Sequence, residues 1–140
     1  VEERCEFTIN SGLIALGELS GAGGLLNTAA VDGGADDLNG WCNGTAAEMT
    51  VEANALENID YLGAPPAGFD RVVNFTATAT ASTGSANDSS ATLGAGTPST
   101  VGIFSSNISV VLSGSATPSG GKLIAGDYEG SVDVTLTPSP

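Results

Sequence analysis

Cys5 and Cys42 are the first residues in this chain that could do chemistry, and no histidine accompanies them. Two thiols without His or a further Cys cannot complete a zinc site. They are not spaced as a Cys-x-x-Cys redox pair either. The lack of His also removes the usual Ser-His-Asp and Cys-His nucleophile arrangements. What remains for the two cysteines is a structural disulfide closing a loop of 37 residues. By chain entropy that bond is worth about 4 kcal/mol. Such a bond persists in an oxidising compartment.

The other candidates are weaker. Gly21-Ala-Gly-Gly24 lacks the Gly-Lys-Ser/Thr of a phosphate loop, and Lys122 follows Gly120-Gly121 ahead of a strand. Sixteen Asp and Glu residues could supply a carboxylate pair for glycoside hydrolysis. Any acidic chain offers such pairs, so no enzyme is expected. Asp32, Asp36 and Asp37 crowd a Gly-rich stretch and carry hard oxygens suited to Ca²⁺, but not at EF-hand spacing. A solvated loop is the expectation there, with no metal and no cofactor. Trp41 and Tyr61 could form a sugar-stacking platform; Trp41 adjoins Cys42 and reads rather as packing beside a disulfide. The sequons at Asn43, Asn74, Asn87 and Asn107 mark surface positions if the chain is glycosylated.

These residues must be positioned by strands. Cys5, Phe7 and Ile9 alternate with Glu6 and Thr8. Val73, Phe75, Ala77, Ala79 and Ala81 alternate with Asn74 and three threonines, and Phe104, Ser106, Ile108, Val110 and Leu112 with polar partners. Near the end, Tyr128, Val132, Val134 and Leu136 oppose Glu129, Ser131, Asp133 and Thr135. Turn and loop clusters lie between: Ser20 to Gly24, Asp32 to Asp37, Gly63 to Gly68, Ser82 to Ser90, and Thr117 to Gly121. Residues 45–56 fit two periods. Ala46, Met49, Ala53 and Leu56 make a helical stripe, whereas Met49, Val51 and Ala53 make a strand; the strand is preferred because Cys42 must be held near Cys5. The chain therefore reads as one all-β domain over residues 1–140, a sandwich with a thin, alanine-rich core.

Three Lys and Arg against sixteen acids give a net charge of −13. Phosphate backbones need clustered cations, so nucleic acid is a poor partner, and a bare anionic membrane is disfavoured for the same reason. No run of 18 or more apolar residues is present to insert in a membrane. The numbering opens at Val1 rather than Met, which fits a processed secreted chain.

The closing segment, Gly126-Asp-Tyr-Glu-Gly-Ser-Val-Asp-Val-Thr-Leu-Thr-Pro138, resembles the last strand of archaic chaperone–usher pilins and their spore coat protein U-type relatives. The opening Cys5-Glu-Phe-Thr-Ile-Asn-Ser-Gly-Leu-Ile-Ala-Leu-Gly17 is similar to that family's first strand. The likeness covers both ends and the cysteine pair, not residues 61–98. It implies an immunoglobulin-like (pilin-type) β-sandwich that is incomplete and is completed by a donated strand. On the matching positions it places an acceptor groove at Phe7 and Ile9 in front and at Val132, Val134 and Leu136 behind. It also implies neighbouring copies or other pilus subunits as partners, a periplasmic chaperone and an usher during assembly, and a final place on the cell surface. The implied role is a filament subunit, with adhesion or biofilm formation as its use. One departure stands out: only Val1-Glu-Glu-Arg4 precedes Cys5, too short and charged to donate a strand. The alternative is a self-contained secreted β-sandwich that binds carbohydrate or another surface ligand. An open apolar slot between the terminal strands would favour the filament subunit, and a closed, filled sandwich the binding module.

Overall fold

The computed structural model describes residues 1–139, and these form ten strands and two single-turn 3₁₀ segments. In chain order the strands are β1 (Cys5–Ile9), β2 (Ala35–Cys42), β3 (Glu48–Asn58), β4 (Phe69–Asp70) and β5 (Val72–Ala81). They continue as β6 (Gly84–Ser89), β7 (Ser99–Thr100), β8 (Phe104–Ala116), β9 (Lys122–Leu123) and β10 (Tyr128–Thr137). The domain is all-β, and its pairing is antiparallel except for the two-residue contact of β4 with β9.

The main sheet runs β1-β2-β8-β5-β3-β10, with β6 added to β5 and β7 to β3. It curls because β5 serves two layers. Val72 and Val73 pair with β3, while Thr76 to Thr80 pair with β8. One layer is thus β1-β2-β8-β5-β6, and the facing one is built on β3 and β10. The inward side chains of β5 (Val73, Phe75, Ala77, Ala79, Ala81) and of β8 (Phe104, Ile108, Val110, Leu112) are all buried. Met49, Val51 and Ala53 of β3 meet them from the other layer. Burial of this kind stabilises by about 25 cal/mol per Å² of apolar area, and the many alanines keep that area small.

Residues 48–58 are a strand, and its bulge explains their double periodicity. The register with β10 slips between Glu129 and Ser131, so the buried set moves from Met49, Val51 and Ala53 to Leu56 and Asn58. The slip puts Leu56 three residues after Ala53, which mimics a helical stripe.

Two segments expected to be loops are strands. Ala35 to Asp37 open β2, leaving a turn at residues 31–33 before it, and residues 84–89 form β6. Both lack an aliphatic alternation. The inward positions of β6 are Ala86 and the buried Asp88, whose Oδ2 accepts the Ala53 N–H at 2.9 Å. A carboxylate stands there in place of a ladder carbonyl.

Cys5 and Cys42 are directly opposite in the β1–β2 register and are joined as a disulfide. The bond points to an oxidising compartment. No helix among the described residues is long and apolar enough to cross a membrane.

Candidate functional site

The first and last strands are the two ends of the sheet. Among the described residues β1 pairs only with β2 and β10 only with β3, so each keeps one edge of backbone N–H and C=O groups without a ladder partner there. The curl brings these edges to face each other across a slot of about 550 Å³. The terminal strands do not pair directly; they bracket an open gap.

The gap tapers. At one end Leu136 of β10 reaches β2, where Gly40 makes room for it: a Cβ on Gly40 would stand 3.3 Å from Leu136 Cδ1. Beyond that contact Ser139 and Glu3 both lie against Gly44, so the walls converge. Counting from this closed end, Leu38 and Val134 come next, followed by Asp36 and Val132. All four line the slot, with Phe7 on the β1 side and Leu56, Phe75, Val110 and Leu112 as the floor.

The far end is crossed by the chain that leaves β1. Residues 10–18 have no regular secondary structure, and no backbone–backbone hydrogen bond holds them among the described residues. Their hold on β2 passes through a side chain, the Leu13 N–H donating to Asp36 Oδ2 at 2.9 Å. Ile14 and Leu16 pack over Gly34, while Leu13 is 82% exposed. This crossing separates the slot from a second hollow of about 910 Å³, which runs under Leu13 to Ser20 towards Leu123 to Gly130.

Burial distinguishes the terminal strands from the rest of the sheet. Inward residues of β5 and β8 are buried, yet Phe7, Val132, Val134 and Leu136 are only half-buried while packing against the same core. Their period-2 pattern is that of a covered face, and no element among the described residues covers it.

Of the five expected groove residues, Phe7, Val132 and Val134 line the slot and Leu136 closes its end. Ile9 does not belong to it. A bulge between Phe7 and Ile9 sets Ile9 opposite Asn39 on the outer face, where it is 53% exposed. Sequence reasoning missed Asp36, Leu38 and the floor residues of the slot. Asp36 shares the inward parity of Leu38, Gly40 and Cys42, a signal that the loop reading of 32–37 concealed.

The remaining candidates are not brought together. Asp36 faces the slot, Asp37 points outward, and Asp32 Oδ1 accepts the Ser115 N–H at 2.9 Å. Trp41 lies on β2 between Glu6 and Ser105 near the closed end. Tyr61 follows β3 at the opposite end, its hydroxyl donating to the Ala64 carbonyl at 3.1 Å. Compared with protein-family models, curated proteins and solved structures, the chain matches none of them.

Proposed function

We propose that this chain is a structural subunit of a surface filament, built by accepting an extended strand from a neighbouring subunit into the slot between β1 and β10. The observation that carries this reading is the pair of free strand edges facing each other over half-buried apolar side chains. An added strand would gain ladder bonds to one or both edges and would bury Phe7, Val132 and Val134 with its alternate side chains. Such addition would complete an immunoglobulin-like, pilin-type sandwich. It accords with the likeness of both chain ends to chaperone–usher pilins, and the disulfide suits a route through the periplasm to the cell surface. On this reading a chaperone strand would fill the slot before the neighbouring subunit does. An open slot also weighs against the self-contained binding module, whose core would be closed by its own strands.

Material sheared from the surface of cells producing the chain tests the proposal. Donated strands make a ladder of multimers on denaturing gels without heating, and filaments under the electron microscope. Monomer alone, with no filaments, would overturn it.

A further inference from the structure

Asn10 and Ser11 line the slot and the outward-facing Ser131, Asp133 and Thr135 of β10 border it, but among the inward strand residues of its walls and floor the one polar side chain is Asp36. It lies one inward position beyond Leu38 on β2 and, by count from the Leu136–Gly40 contact, level with Val132 on β10. Its carboxylate accepts two hydrogen bonds, from the Leu13 N–H at 2.9 Å and the Asp37 N–H at 2.9 Å. A carboxylate has about four acceptor positions, so it retains capacity. No cation among the described residues compensates it: the one ion pair there joins Arg4 to Glu2. While the slot is open, water can solvate this charge. A strand laid into the slot removes that water, and an unpaired carboxylate beside apolar side chains is then costly.

We propose that the strand accepted here presents a Lys or Arg side chain to Asp36, with aliphatic side chains at the neighbouring inward positions. The inference rests on the strand-accepting reading of the slot and adds what selects the strand. Inward positions recur every second residue. One aliphatic side chain therefore meets Leu38 and Val134, and the cation two residues along meets Asp36. Its ammonium or guanidinium supplies the charge-assisted donor that Asp36 otherwise loses on covering. The described residues of a second copy offer no such strand. Arg4 follows two glutamates, Arg71 is bound to the carbonyls of Tyr61 and Asn58, and Lys122 sits in β9. The donor strand therefore lies outside residues 1–139 of a second copy.

Fluorescein-labelled synthetic peptides of alternating Val and Ser test this by fluorescence anisotropy, with Lys, Ala or Glu placed at each Val position in turn. At one position the Lys peptide binds the wild-type protein about tenfold more tightly than the Glu peptide, as expected for a close pair shielded from solvent. Asp36→Asn keeps an acceptor for Leu13 and abolishes the preference, Asp36→Lys reverses it, and Asp133→Asn on the wet face leaves it intact. Peptides that bind with no preference for Lys, or with a preference unchanged in Asp36→Asn, overturn this inference while strand acceptance stands. If no peptide binds, both fall.

Discussion

Asp70 is 5% exposed, and its carboxylate accepts the Ser119 hydroxyl at 2.8 Å and the Gly121 N–H at 2.7 Å. Burial alone would push its carboxyl up; the Ser119 and Gly121 donors outweigh burial and hold it below the usual aspartate range. A depressed folded-state value means a stabilising contribution that is present above the unfolded value, about 3.9, and lost as pH falls through the folded one. Urea unfolding followed from neutral to strongly acidic pH should therefore show stability falling on the acid side. Asp70→Asn should make that fall shallower and cost about 1–3 kcal/mol at neutral pH, because Ser119 and Gly121 then face a neutral partner. The disulfide is the other residue-scale determinant. Reduction should lower unfolding stability by about 4 kcal/mol, and thiol titration of the denatured, unreduced chain should find no free thiol.

At the scale of elements, the strands legible in the sequence are those whose two faces differ. β5 and β8 bury a continuous apolar row and expose Ser, Thr and Asn, so their alternation survives in the sequence. β2 was hidden because its inward positions are Asp36, Leu38, Gly40 and Cys42: a charge facing a slot, a glycine yielding to Leu136, and a disulfide. β6 was hidden because Asp88 replaces a ladder carbonyl. β10 was legible through Val132 and Val134, and so was its place on one wall of the slot. Ile9 misled because a bulge cannot be read from an alternation that continues through it. The matching bulge in β3 and β10 depends on Gly130, where a Cβ would stand 2.6 Å from the Asn54 carbonyl oxygen and 2.9 Å from that of Ala55. Neither backbone oxygen can move aside cheaply. Gly130→Val should therefore destabilise the domain by about 1–3 kcal/mol in thermal or urea unfolding. The same substitution at Ser131, exposed on the wet face next door, should cost less than about 0.5 kcal/mol.

For the whole molecule, net charge and slot act on different steps of assembly. A subunit of charge −13 repels its like, so salt should raise the rate at which subunits meet and the tendency of finished filaments to lie side by side. The lifetime of an inserted strand depends instead on ladder bonds and buried aliphatic contacts, which salt screens little. Filaments should accordingly survive molar salt undissociated, while light scattering reports more bundling. Substitutions on β10 separate the two contributions. Val134→Asp places an uncompensated charge on the slot wall, opposite Leu38, and should reduce multimers on unheated gels at least tenfold. Asp133→Ala alters only the wet face and the net charge, so it should leave multimers intact and shift bundling slightly towards lower salt. Equal survival of assembly in both variants would remove β10 from the assembly edge. The half-buried row along it would then have to be covered by something other than a donated strand.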